Sequence, residues 1–104
     1  MSLLGSPFQV IVSTADNLTV TAGTDVVKVT AGSKTVTLPL ARTCTLEQGN
    51  NIIRVVGAGA ATTVAVTSPD TFGNDDTTIA VTDGAIGYCE SDGLNTWYLT
   101  GRTS

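Results

Sequence analysis

The sequence predicts an all-β domain, a small antiparallel β-sandwich or barrel-like body of about nine short strands with an extended N-terminal arm. Three observations predict it. Apolar and polar residues alternate with a period of two almost throughout, no stretch carries the stripe of an amphipathic helix, and glycine-centred turn signals recur about every ten residues. At 104 residues the chain forms one domain, burying roughly two thirds of the surface that its unfolded form exposes.

The strands follow one another at even spacing. Val10 and Val12 share a face in FQVIV, Leu18 and Val20 in LTVT, and Val27 and Val29 in VVKV. Val36, Leu38 and Leu40 alternate with threonines in TVTLPL, Ile53 and Val55 pair in NIIRVV, and Val64 and Val66 flank Ala65 in TVAV. Ile79 and Val81 follow in TIAV, Ile86 and Tyr88 in IGY, and Trp97 and Leu99 in TWYL. Threonine and valine dominate because β-branched side chains suit a pleated, half-buried surface. Between the strands stand TAGTD, TAGSK, EQGNN, GAGA, FGND, TDGA and SDGLN, where glycine supplies positive φ at little steric cost. Pro39 cannot donate to a ladder, so it ends or bends its strand. Residues 1–8, MSLLGSPF, show no alternation and form the arm; residues 9–104 form the β-domain.

Composition narrows the function. Charged residues make up 13% of the chain and the net charge is −4, so the surface is mostly hydroxyl and amide. Five basic residues scattered along the chain do not make the clustered cations that neutralise phosphates, which argues against nucleic acid. No apolar run reaches the length of a membrane span, and the first residues lack the basic and apolar regions of a signal peptide. The chain is therefore expected to be made and folded in a cytosol. Cys44 and Cys89 have neither CxxC spacing nor a histidine partner; they read as small buried hydrophobes, with a disulfide as the alternative.

Nothing in the sequence assembles a catalytic site. There is no histidine, which removes the usual general base and the commonest metal ligand. Of nine acidic residues seven are aspartates, set in or near turns where aspartate bonds to its own backbone. PDTFGNDD offers Asp70, Asn74, Asp75 and Asp76 around a glycine but lacks the alternating aspartates and terminal glutamate of a calcium loop. GAG at residues 57–59 precedes another strand and not a helix, so it makes no phosphate cradle. Asn17-Leu18-Thr19 matches a common glycosylation tripeptide. The expectation is a protein that is not an enzyme and has no cofactor or metal.

The order of these pieces resembles a small β-domain of bacteriophage structural proteins, found in head decoration (cement) proteins, head fibres and parts of tail fibres. The likeness covers residues 34–101. It runs from KTVTLP through GNNIIRVVGAG, TVAVT, PDTFG and TIAV to the closing SDGLNTWY, which is its most specific part. Phe72 stands where the pattern has an aliphatic residue, and NDDTT is more acidic than usual. The resemblance implies a homotrimer on the outer surface of a virion, with the major capsid protein as partner. It suits a chain that starts at a methionine and stops just after its last strand, as a free decoration protein is expected to do.

Two functions then compete. In the first, the protein clamps an assembled phage head, with Leu3, Leu4, Pro7 and Phe8 of the arm as the shell contact. In the second, it is a receptor- or glycan-binding module of a tail or head fibre, with Trp97 and Tyr98 as a stacking surface. Asp92-Gly93 reads as a hairpin turn, which places Trp97 and Leu99 on one face and Tyr98 on the other. Trp97 is accordingly expected to plug the core, leaving Tyr98 to meet a neighbouring subunit.

Overall fold

The computed structural model describes residues 10–48 and 51–100. Among them are ten strands: β1 (Ile11–Thr14), β2 (Leu18–Thr19), β3 (Val26–Val29), β4 (Lys34–Thr37), β5 (Ile52–Gly57), β6 (Thr62–Ala65), β7 (Thr71–Phe72), β8 (Thr78–Val81), β9 (Ile86–Ser91) and β10 (Thr96–Thr100). Two 3-10 turns, Ala41–Thr43 and Leu46–Gln48, lie between β4 and β5. No helix among the described residues is long and apolar enough to cross a membrane.

The strands form a six-stranded sheet in the order β1-β3-β5-β9-β10-β7 and a four-stranded sheet in the order β2-β4-β6-β8. Every connection before the final hairpin therefore carries the chain from one sheet to the other. A chain that alternates in this way and advances steadily meets its earlier strands running in the same direction. Thus β1, β3 and β5 are parallel, with Ile11, Val26 and Arg54 in register. β2, β4 and β6 are parallel as well, aligning Leu18, Val36 and Val64. Antiparallel pairing is confined to β5 with β9, β9 with β10, and β6 with β8, while β7 runs parallel to β10.

The all-β class is as predicted, but the expected antiparallel arrangement is corrected to a mostly parallel one. A period of two marks a strand without saying which way its neighbour runs. The glycine turns that read as hairpins mostly arch between sheets, a task that needs the same positive φ: Gly23 at 95° and Gly59 at 105° both sit in such arches. The strand beyond the expected nine is β7, whose two residues are too few to show alternation.

One apolar layer lies between the sheets. Val27 and Val55 stack in the larger sheet, and Leu18, Val36, Val64 and Ile79 cross the whole of the smaller one. Val27, Val36, Val55 and Val64 are fully buried. Trp97 and Phe72, the two largest fully buried side chains, are register partners on β10 and β7 and fill the core where β-branched residues would leave a void.

Glycine occupies two inward positions because nothing larger fits. A Cβ on Gly57 would stand 2.6 Å from the Thr82 carbonyl oxygen and 2.8 Å from that of Ala60. On Gly87 it would stand 2.8 Å from Val81 Cγ2. The carbonyls beside Gly57 belong to the backbone and cannot rotate away, so Gly57→Ala is expected to destabilise the fold by about 1–3 kcal/mol. A urea titration checks this; an unchanged midpoint would show that the arch simply shifts.

Candidate functional site

Strand β9 sets the character of the outer surface. Its residues alternate so that Gly87, Cys89 and Ser91 point into the core while Ile86, Tyr88 and Glu90 point out. Ile86 and Tyr88 do share a face, but it is the outward one. The phase is fixed from inside: Cys89 is fully buried, and Gly87 lies too close to Val81 for the strand to be turned over. The larger and more apolar half of the strand thus faces solvent.

Register extends this surface across the six-stranded sheet. One row on the outer face aligns Ile11, Val26, Arg54, Tyr88 and Thr100. The next aligns Ser13, Lys28, Val56 and Ile86, and on the other side Glu90 stands opposite Tyr98. Ile11 and Tyr98 are each 52% exposed, Tyr88 41% and Ile86 36%. Two tyrosines on adjacent strands, diagonal to one another, therefore sit near isoleucines and valine, with Arg54 opposite Tyr88 and Glu90 opposite Tyr98. These exposed apolar and aromatic side chains share the face with Lys28, Arg54 and Glu90.

Tyr98 also borders a cleft of about 370 Å³ formed with Phe72, Gly73, Asn74, Ile79, Leu99 and Thr100. A Cβ on Gly73 would fall 2.5 Å from Tyr98 Cε1. Only glycine lets the ring lie over the strand there, which is how an aromatic covers a glycine on a sheet. The ring is seated on one side and open on the other.

Trp97 is fully buried, and its Nε1 donates to the Pro39 carbonyl oxygen at 3.2 Å. Trp97 and Tyr98, paired in sequence, lie on opposite faces of the sheet and do not form a common stacking surface. Leu3, Leu4, Pro7 and Phe8 lie outside the described residues.

The acidic motif does not converge. Asp70 is buried, with its Oδ2 accepting the Ala41 N–H at 2.8 Å, whereas Asn74, Asp75 and Asp76 are exposed. Asn74 Nδ2 donates to Asp76 Oδ2 at 2.8 Å, and no group of three potential ligands among the described residues is placed to hold an ion. In the GAG turn the Gly59 N–H donates to Asp83 Oδ1 at 3.0 Å, so a carboxylate of the chain itself fills that position. Cys44 and Cys89 are buried free thiols. Burial pushes Cys89 up to about 12. Cys44 is raised by burial as well, with the Thr43 hydrogen bond opposing and Asp70 adding to the rise.

Compared with protein family models, curated proteins and solved structures, the chain has no match in any of the three.

The β9–β10 turn holds the two tyrosines in register. Asp92 Oδ1 accepts the backbone N–H groups of Leu94, Asn95 and Thr96 at 2.8, 3.0 and 3.1 Å. Slight desolvation pushes its carboxyl up, but the bonds from Thr96, Leu94 and Asn95 outweigh this and hold it below its ordinary 3.8. A depressed native value means that the stabilisation is fully present above the unfolded value and fades as pH falls through the native one. Asp92→Ala is therefore expected to lower the urea midpoint near neutral pH, with the gap to wild type closing in acid well below 3.8. A gap constant across that range would show that the carboxylate charge is not what holds the turn.

Proposed function

We propose that the protein is a virion structural protein, a decoration protein that binds the outside of a phage head as a trimer and stabilises the shell. The observation that carries this reading is the outward set of Ile86, Tyr88 and Tyr98 on β9 and β10, on a body with no metal-binding group of side chains among its described residues. Such a face serves adhesion. The ordered resemblance over residues 34–101, from KTVTLP to SDGLNTWY, supports the viral setting.

The physical logic is mass action. A protein that binds only the assembled shell shifts the equilibrium towards assembly. Three linked copies turn weak contacts into a firm one because the second and third bind at high effective concentration. The major capsid protein is the partner, and the arm bearing Leu3, Leu4, Pro7 and Phe8 is the shell contact. The fibre reading loses its main support, since Trp97 is buried and offers no ring to a sugar.

Shells stripped of the protein test the proposal. Full-length protein is expected to co-sediment with them, and a chain lacking residues 1–8 to be largely lost from the pellet. Undiminished binding of the truncated chain would remove the arm from the contact. Failure of the full-length protein to bind would sink the decoration reading.

A further inference from the structure

We propose that the outer face of the six-stranded sheet is where copies of this chain meet, one copy's Arg54 flank against the next copy's Glu90 flank. The proposal rests on the decoration reading only for the number of copies.

Three observations converge on a second copy as the occupant. The first is the phase of β9, which buries glycine, cysteine and serine and exposes Ile86 and Tyr88. The crowding at Gly87 leaves no room for the reverse phase, so the exposed parts of Ile86 and Tyr88 forfeit a share of the roughly 1.5–3 kcal/mol that full burial of a large side chain gives. The arrangement suits a strand whose outer face is covered in its working state.

The second is the character of the face. Tyrosine and arginine are the residues enriched at the centres of protein interfaces, where lysine and glutamate are depleted. Here Tyr88 and Ile86 occupy the middle of the sheet, with Arg54 opposite Tyr88 on β5 and Tyr98 on β10.

The third is charge. Lys28 and Arg54 lie on β3 and β5, and Glu90 lies on the adjoining β9 opposite Tyr98, so the face changes from cationic to anionic between β5 and β9. Arg54 and Glu90 are diagonal on neighbouring strands, and neither side chain makes a hydrogen bond or ion pair among the described residues. Each remains available to another copy. A face with unlike flanks complements itself head to tail, and a head-to-tail contact closes into a ring when the rotation allows. In that ring Arg54 reaches the neighbour's Glu90, and its guanidinium can lie over the neighbour's Tyr98 ring. The net charge of −4 repels copies at long range, so these local pairs also set the orientation of approach.

Native mass spectrometry and light scattering of the full-length protein test the contact. Wild type is expected to run at about 32 kDa, three times 10.6 kDa. Tyr88→Glu is expected to weaken association on the order of 100-fold, as loss of a central aromatic anchor does. Arg54→Glu and Glu90→Arg alone should each drive the protein to monomer, and the doubly reversed chain should regain the oligomer. All three positions are at least partly exposed, so circular dichroism and thermal melting are expected to match wild type.

A monomeric wild type at about 100 μM, well above the affinity that a specific interface reaches, would overturn the proposal. So would an oligomer indifferent to these substitutions. Shell binding reads the other question separately. A monomer that still binds shells refutes the self-contact and leaves decoration standing, whereas an oligomer that follows the charge swap but ignores shells does the opposite.

Discussion

The domain depends on the in-register stacking of small β-branched side chains between its two sheets. Because the chain changes sheet at each connection before the final hairpin, β3 to β6 and β8 each lay their inward residues directly beside those of the strand two places earlier. Val27 meets Val55, and Val36 meets Val64. A slip of one residue would move threonine or lysine inward and valine out, so the alternation that builds the core also fixes the register. Side chains of this size leave the end of the layer unfilled. Trp97 and Phe72 close it, and buried polar ties hold the chain over them. Ser91 Oγ donates to the Ala41 carbonyl oxygen at 2.7 Å, the Ala41 N–H donates to Asp70, and Trp97 donates to Pro39. The 3-10 turn Ala41–Thr43 is thereby fixed to β9, β10 and the loop before β7 at once.

The class, most strand positions and the hairpin at Asp92-Gly93 were legible because alternation and turn chemistry are local properties. Pairing direction was not. Whether TAGSK folds a strand back beside its neighbour or arches it into the opposite sheet is decided by long-range stacking, which no short window records. The 3-10 turn Ala41–Thr43 was missed for a related reason: it is held by Asp70 and Ser91, distant in sequence from Ala41. Trp97 and Tyr98 were separable, since adjacent strand residues must face opposite ways. The face of β9 was not, because IGYCES alternates equally well in either phase. Only the crowding at Gly87 and the burial of Cys89 decide between them. The signal available in the sequence was the glycine, since a glycine alternating with large residues marks the side on which space is short.

The same scarcity of charge that makes the core easy to read leaves the functional surface quiet. With 13% charged residues, the protein has few groups to place, and Arg54, Lys28 and Glu90 fall together on one face. The aspartates are mostly spent on turns: Asp92 holds three backbone N–H groups, Asp83 one at Gly59, and Asp70 one at Ala41. What remains on the outer face of the larger sheet is therefore shape, aromatic surface and a few oriented charges.

The sheet edges bear on how copies associate. An open edge invites another strand to pair with it, and natural proteins blunt that tendency with short or capped edge strands. Here β2 and β7, two of the four edge strands, are two residues long. At β1, the Val10 N–H donates to Asp25 Oδ2 at 2.8 Å, so the first amide before that edge strand is already engaged. Edge-to-edge growth would also be open-ended, adding copies without closure, which is a route to fibres and not to a particle of fixed size. A contact through the outer face has neither drawback. The contact proposed above would leave the ladders untouched and cover Ile86 and Tyr88, which β9 is forced to expose. The path that parallel stacking imposes on the chain thus yields short edge strands in both sheets and an outer face that carries Ile86, Tyr88 and Tyr98.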